Sequence, residues 1–289
     1  MPNAPARYLS PLRYPGGKAR LAGFMAGVIS RQPSVPRIYI EPFAGGAGVG
    51  LYLLYNEYVE EIVLNDLDGG VAAFWRSVFS RTDELLHLVR TCRPSIDEWH
   101  VQHERYNSKS CDEVELGFAT FFLNRTNRSG ILDARPIGGF EQESTWGITA
   151  RYDAGRLAAR IERLARYSTR VTICEEDGIE LARSYLDETR SFMYLDPPYL
   201  RNGDELYLNT LTWDDHVQLA RHLQGGDNWV LTYDDDSRVP LVLYPSYRCA
   251  SFELSHTASV HHLGREYAVF PDGLVVETLE GLGVNAEFV

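Results

Sequence analysis

The sequence predicts an α/β protein with a mostly parallel sheet, and three observations carry the prediction. Short apolar runs recur along the chain, helical patterns separate them, and a glycine-rich turn stands between the first run and the first helix. Ile38-Tyr39-Ile40 reads as a buried strand, Glu41-Pro42-Phe43-Ala44-Gly45-Gly46-Ala47-Gly48-Val49-Gly50 as a turn, and Leu51 to Tyr55 as a helix. Ile62-Val63-Leu64 reads as a second strand ending in Asn65-Asp66. The helix after it carries Val71, Phe74, Trp75, Val78 and Phe79 at helical spacing. Two βα units in series require parallel strands, because only a crossover connection returns the chain in the same direction.

Val171-Thr172-Ile173-Cys174, Phe192-Met193-Tyr194-Leu195 and Trp229-Val230-Leu231-Thr232 continue the sheet, with helical patterns at Ile179 to Leu186 and Val217 to Leu223 between them. Thr212, three residues before Asp215, has the spacing of a capping box for the second of these helices. Tyr247–Leu254 and Glu266–Phe270 read as late strands. Residues 81–168 break the rhythm. They hold helical patterns at Asp97–Tyr106, Asp112–Phe122 and Gly155–Tyr167 and a glycine- and arginine-rich run from Asn124 to Phe140. The chain therefore divides into one domain made of residues 1–80 and 169–289 and an inserted lobe at 81–168.

The formal net charge of -12 argues against a polyanion partner until its distribution is examined. Residues 1–40 hold six basic side chains and no acid, residues 121–170 hold nine arginines against five acids, and residues 171–289 hold seven arginines against 21 acids. That segregation suits a molecule with one phosphate-facing side, although scattered solvated arginines would give the same counts. Only Lys18 and Lys109 are lysines, which singles out two places for a compact ammonium. Cys92, Cys111, Cys174 and Cys249 lie far apart without zinc spacing, so reduced, mostly buried thiols and no metal are expected. No run reaches the roughly 18 apolar residues of a membrane span, and the first residues lack a signal core, so a cytoplasmic protein without membrane contact is expected.

The chemistry centres on Asp196-Pro197-Pro198-Tyr199 at the end of the strand Phe192–Leu195. Two prolines remove two backbone donors and fix φ twice, so the chain leaves the sheet with free carbonyls beside a carboxylate and an aromatic face. That trio suits chemistry on a planar amino group; an ordinary strand-ending turn with a core tyrosine would carry the same residues. The glycine loop lets backbone approach a ligand at a helix N-terminus, and Asp66 can accept from ribose hydroxyls, which together suggest an adenosine-containing cofactor. Asp234-Asp235-Asp236 reads as a solvated acidic turn, His261-His262 as a surface pair, and the arginines of Gly155–Tyr167 as a solvated face.

Leu12-Arg13-Tyr14-Pro15-Gly16-Gly17-Lys18, Glu41 to Gly48, Leu64-Asn65-Asp66 and Asp196 to Tyr199, in that order, resemble the Dam-type DNA adenine N6-methyltransferases of the alpha class. The resemblance covers nearly the whole chain and implies a Rossmann-like, seven-stranded methyltransferase sheet with an antiparallel last strand and an inserted, mainly helical target-recognition lobe. It implies S-adenosylmethionine as cofactor, held by Tyr14, Gly16, Gly17, Lys18, Glu41, Phe43, Gly45, Gly46, Gly48, Asp66 and Asp196. Asp177 matches the position that contacts the cofactor's adenine, with Glu175 and Glu176 as neighbouring alternatives. Asp196, Pro197, Pro198 and Tyr199 are implied to be catalytic on an adenine flipped from double-stranded DNA, with transfer in line and no metal. Arg125, Asn127, Arg128 and Arg135 are expected at the DNA, where Arg125 or Arg128 would meet phosphate or guanine and Asn124 or Asn127 adenine. Trp146-Gly147-Ile148-Thr149-Ala150-Arg151-Tyr152 stands where relatives carry an Asn-Val-Pro-Phe-Gly-like segment, a departure that argues against a GATC target. A restriction endonuclease is a possible companion. RNA adenine or a protein amide as acceptor, or a non-catalytic DNA-binding relative, are the alternative readings.

Overall fold

Five parallel strands form one half of the sheet: β1 (Ile38–Glu41), β2 (Glu61–Asn65), β3 (Val171–Cys174), β4 (Ser191–Leu195) and β5 (Trp229–Asp234). The computed structural model that defines them describes residues 9–13, 18–200, 211–256 and 262–289. Strand order is β3-β2-β1-β4-β5-β7-β6-β8, with β6 at Arg248–His256, β7 at His262–Phe270 and β8 at Val284–Phe288. In register, Ile40 faces Val63 on one side and Met193 on the other, so β1 is central, and all five residues of β4 are buried. Burial on both faces explains why these strands are continuous apolar runs rather than alternating ones.

The parallel half and the antiparallel β7, inserted between β5 and β6, follow the sequence expectation. The strand count does not: β8 pairs antiparallel with β6 and makes the sheet eight-stranded. Val284-Asn285-Ala286-Glu287-Phe288 does alternate, but it is an almost wholly exposed edge strand, and so short a run carries little signal.

Helices α1 (Ala22–Ser30), α2 (Gly48–Tyr55), α3 (Gly69–Ser80), α8 (Gly178–Ser184) and α9 (Trp213–His222) pack against the sheet. Side chains cap three of them: Asp68 accepts from the amides of Gly70 and Val71 for α3, Asp177 from those of Ile179 and Glu180 for α8, and Thr212 with Asp215 forms the expected capping box for α9.

Segment 81–168 supplies α4 (Thr82–Thr91), α5 (Ile96–Ser108), α6 (Glu113–Thr126) and α7 (Ala154–Ala165). Helix α6 opens with a second capping box, Asp112 with Glu115, and lies along α3, where the rings of Phe74 and Phe121 stack 5.5 Å apart. Phe118, Phe121, Phe122 and Leu123 belong to the same apolar cluster as Leu64 and Tyr39 of the sheet. The helices of the segment thus share the core of the rest of the chain, and the irregular chain between α6 and α7 carries the arginine-rich run. All four cysteines are free, but only Cys249 is buried; Cys92, Cys111 and Cys174 are half-buried, less enclosed than expected. No helix among the described residues is long and apolar enough to cross a membrane. Lys109 caps α5 in the left-handed region at φ 51°, so its place reflects a helix end.

Candidate active site

Strand order reverses between β1 and β4, and the carboxyl ends of parallel strands open a crevice at such a point. Asp196 follows β4 at that edge. Its Oδ1 accepts from Thr232 Oγ1 at 2.8 Å and lies 3.1 Å from Lys18 Nζ. Its Oδ2 lies 3.3 Å from the same Nζ and takes no other donor among the described residues. Because the Thr232 hydroxyl gives its one hydrogen to Asp196, the Tyr194 hydroxyl, 2.8 Å away, must donate to Thr232. The chain Tyr194, Thr232, Asp196 fixes one carboxylate oxygen, and Lys18 is the donor to the other. The Pro197 carbonyl accepts no hydrogen bond among the described residues.

The resemblance assigns Lys18 to the cofactor, but its ammonium is turned inward. Nζ donates to Tyr199 Oη at 2.6 Å, to Asp196, and faces Glu266 Oε2 at 3.4 Å, while lying 5.0 Å from the Tyr199 ring centre. Three donors thus meet three partners within the protein. Tyr199 Oη in turn donates to Glu266 Oε1 at 3.0 Å. Glu266, on β7, is 1% exposed and was not foreseen as a site residue. Strand periodicity could have found it: exposed Arg265 and buried Glu266 alternate on the way to buried Ala268. Burial raises the Asp196 pKa, the Lys18 charge opposes the rise, and the Glu266 charge adds to it. An ion taken from water without partners costs several kcal/mol, so Lys18 is what allows two carboxylates at this depth.

On the other side of the crevice, Glu41 ends β1 and is 4% exposed. Its Oε1 accepts from Gly50 N at 2.7 Å and Tyr39 Oη at 3.1 Å. Burial, with the Asp196 charge as a smaller contribution in the same direction, pushes its pKa up to about 8. Gly45 adopts φ 46°, and Ala47 enters the left-handed region at φ 50° to start α2. The loop is braced twice: Trp75 Nε1 donates to Gly45 O at 2.9 Å, and Gly45 N to Asp66 Oδ2 at 2.9 Å. Asp66 Oδ1 accepts from Asp68 N at 3.0 Å, and burial pushes the Asp66 pKa up to about 7. The amides of Gly46, Gly48 and Val49 at the start of α2 have no protein acceptor among the described residues. Phe43 abuts the start of α8, where a β-carbon on Gly178 would come within 2.6 Å of its ring; only glycine permits that approach. Asn65 ties the edge together, donating to Pro42 O and Glu176 O and accepting from Glu176 N. Asp177 is exposed, with Oδ1 engaged in capping α8. Tyr14, Gly16 and Gly17 lie outside the described residues.

These groups fit an aminoacyl adenosine. Open amides at a helix N-terminus suit its carboxylate, the loop admits close backbone approach, and the Asp196 carboxylate suits a nearby cation.

A third group of residues is basic. Asn124 and Asn127, expected to read bases, are buried at 2% and 0% exposure. Asn124 accepts from Arg13 N at 2.7 Å and donates to Arg13 O and Gly130 O. Asn127 accepts from Trp99 Nε1 at 2.6 Å and donates to Ile131 O and Leu132 O. Both amides are occupied in holding the loop, which corrects their assignment to the DNA. Asn124, three residues after Phe121, lies on the apolar face of α6, whereas Asn127 follows the helix end in extended backbone. Arg13 is pressed close, since a β-carbon on Gly130, at φ 80°, would lie 2.2 Å from Arg13 O.

Arg125 is half-buried and donates only to main-chain carbonyls, Arg151 O at 2.8 Å from Nε and Pro11 O at 3.5 Å from Nη1. Burial first, then the like charges of Arg13, Arg160 and Arg151, lower its pKa; a guanidinium nevertheless keeps its proton. Arg13, Arg125 and Arg151 form no ion pair among the described residues, and Arg160 Nη1 reaches Ser10 O at 3.1 Å. Arg160 is thus turned inward, whereas Arg156, Arg163 and Arg166 of the same stretch are exposed as expected. Arg128 and Arg135 are exposed, and Trp146 is 71% exposed. Asp234 and Asp236, expected in a solvated turn, are buried: Asp234 accepts from Leu200 N at 3.0 Å and Asp236 holds Arg238 at 2.7 Å. His261 lies outside the described residues.

The chain is similar to several known proteins. The archaeal type II methyltransferase M.MjaIII of Methanocaldococcus jannaschii is 26% identical over 73% of this chain and 77% of its own. Type II methyltransferase M.CviBI of Paramecium bursaria Chlorella virus NC1A is 21% identical over 79% of this chain and 85% of its own. The modification methylase StsI of Streptococcus sanguinis is 24% identical over 66% of this chain but only 28% of its own. Among solved structures, the rRNA methyltransferase aviRa of Streptomyces viridochromogenes overlays at a TM-score of 0.37 and 14% identity, covering 90% of this chain and 87% of its own, a likeness too loose to carry weight. The model of one family matches residues 14–251, from the lysine segment past Asp196–Tyr199. The chain belongs to the D12 class N6 adenine-specific DNA methyltransferase family.

Proposed function

We propose that this chain methylates adenine N6 at a specific site in double-stranded DNA, on a base turned out of the duplex into the crevice beside Asp196. The observation that carries this reading is a pair of acceptors with capacity to spare next to the Tyr199 ring: Asp196 Oδ2, which takes only Lys18 among the described residues, and the Pro197 carbonyl, which takes no donor among them. An adenine amine is a poor nucleophile because its lone pair is delocalised into the ring. Asp196 Oδ2 and the Pro197 carbonyl each accept one of its N–H bonds, which favours tetrahedral geometry and returns the lone pair to nitrogen. Tyr199 offers the ring a stacking face and Pro198 stiffens the turn that presents it. Base extrusion costs a few kcal/mol, partly offset by that stacking.

S-adenosylmethionine, when bound, supplies an electrophilic methyl on a sulfonium. Its holders are the open amides of Gly46, Gly48 and Val49, the braced glycine loop, Phe43, Glu41 and Asp66, with Asp177 near its adenine. The DNA backbone lies against Arg13, Arg125 and Arg151, and exposed Arg128 and Arg135 add further contacts to it. A half-buried arginine group without carboxylate neighbours is costly unless an external anion meets it. Segment 81–168 then recognises the target, and the enzyme is the modifying partner of a restriction nuclease.

Purified protein is incubated with labelled S-adenosylmethionine and equal amounts of duplex DNA of diverse sequence, RNA and protein, and the labelled products are hydrolysed. N6-methyladenine from duplex DNA alone is expected. Label confined to RNA, protein or cytosine, or no label, would overturn the reading.

A further inference from the structure

The crevice holds a buried acid that the proposed chemistry does not use. Glu266 sits on β7 opposite Asp234 of β5 and Phe252 of β6, and both its oxygens point at residues of the catalytic group. Oε1 accepts from Tyr199 Oη at 3.0 Å, and Oε2 faces Lys18 Nζ at 3.4 Å. Tyr199 Oη therefore stands between a donor, Lys18 at 2.6 Å, and an acceptor, Glu266, with its one hydrogen directed to the latter. This arrangement restrains the tyrosine from its hydroxyl end. The same ammonium bridges Asp196 and Glu266, so the orientation of the Asp196 carboxylate depends on an antiparallel strand some 70 residues later in the chain.

We propose that Glu266 is a positioning residue for methyl transfer: acting through the Tyr199 hydroxyl and the Lys18 ammonium, it fixes the ring that stacks on the target base and the carboxylate that accepts from its amine. This rests on the reading of Asp196 and Tyr199 given above. A tyrosine held only by ring packing could tilt, and misplacement of about 1 Å can cost a hundredfold in rate. Glu266 also acts on Asp196 by charge. The charged and titratable groups around Asp196 are Lys18 from the N-terminal segment, Glu41 from β1, Tyr194 from β4 and Glu266 from β7. Of these, Glu266 favours the protonated form of Asp196, and the working form is the ionised one.

The test uses Glu266→Gln, Glu266→Ala and Tyr199→Phe in the full-length protein. Measurements are cofactor affinity, duplex affinity, kcat against pH, and fluorescence of 2-aminopurine at the target position. Glu266→Ala is expected to lower kcat by about tenfold to a hundredfold with cofactor and duplex affinities within about threefold of the parent. Glu266→Gln retains an acceptor for Tyr199 and so keeps more of kcat, while the acid limb of its pH profile moves to lower pH because Asp196 loses a neighbouring negative charge. Glu266→Gln and Tyr199→Phe are expected to be non-additive, and Glu266→Ala to alter the 2-aminopurine signal. Parental kcat and an unmoved acid limb in Glu266→Gln, or strict additivity with Tyr199→Phe, would overturn the proposal even if Glu266→Ala fails to fold. If the parent itself methylates no DNA, it is the function reading that fails, not the role of Glu266 alone.

Discussion

Two charged clusters lie on either side of the N-terminal segment, and they are built on opposite terms. Around Asp196, one ammonium serves two buried carboxylates and a phenol, and the donors of Lys18 are fully engaged within the protein. Around Arg125, the guanidinium groups of Arg13, Arg125 and Arg151 gather without an ion pair among the described residues, and Arg125 donates to main-chain carbonyls. The first cluster is complete before any ligand arrives, as catalysis by fixed dipoles requires. The second is left unneutralised, as suits a surface whose counter-charge comes from outside. Lys18 belongs to the first cluster and Arg13 to the second, five positions apart in sequence.

The largest effect is expected in the complete cluster. Asp196→Ala should lower kcat about a hundred- to a thousandfold while the protein stays folded and keeps most of its DNA affinity, as read by single-turnover methylation and band-shift titration. Next comes the support beneath the open cluster. Asn124→Ala removes the partners of Arg13 N, Arg13 O and Gly130 O, and denaturant unfolding should register a loss of about 2–3 kcal/mol. An undiminished midpoint would show that the Arg13 pin contributes nothing to folding.

Glu41→Gln gives a smaller, pH-dependent effect. A carboxyl raised from the usual value to about 8 contributes stability that is complete below the unfolded pKa and is lost as pH rises through about 8. Glutamine keeps the acceptor for Gly50 N and Tyr39 Oη but cannot ionise. Its stability should therefore gain on the parent's between pH 5 and pH 9, by about 1.4 kcal/mol per pH unit up to about pH 8 and so roughly 4 kcal/mol at the alkaline end. Parallel melting curves across that range would contradict a buried, protonated Glu41. The smallest effect is expected for Arg128→Ala, an exposed guanidinium: duplex affinity should fall by about threefold, and relaxed site preference would mean that Arg128 reads a base rather than a phosphate.

The comparison also explains what the sequence made legible. The parallel strands, the glycine loop and Asp196 were readable because each depends on local pattern: apolar runs, turn chemistry and a proline pair. The capping box at Thr212 was equally local and is present. What escaped depends on which side of an element faces the core. Asn124 and Asn127 have the composition of base readers, yet Asn124 shares the buried face of α6 with Phe121, and Asn127, at the helix end, is held by Trp99 and the carbonyls of Ile131 and Leu132. Glu266 stands in a polar stretch, and its partners Lys18 and Tyr199 are 248 and 67 residues away in sequence. Lys18 was recognised as special for the right reason, a compact ammonium, but its partners are protein groups.

The most direct measurement of this division is the single-turnover methylation rate at saturating duplex and cofactor, taken side by side for Asp196→Ala and for the double variant Arg125→Ala with Arg151→Ala. The account predicts a near-parental rate for the arginine variant once enough DNA is supplied, together with a weaker salt dependence of binding, and an Asp196→Ala rate about a hundredfold or more below the parent. An arginine variant whose saturated rate falls as far as that of Asp196→Ala, or an Asp196→Ala variant with a near-parental rate, would contradict it.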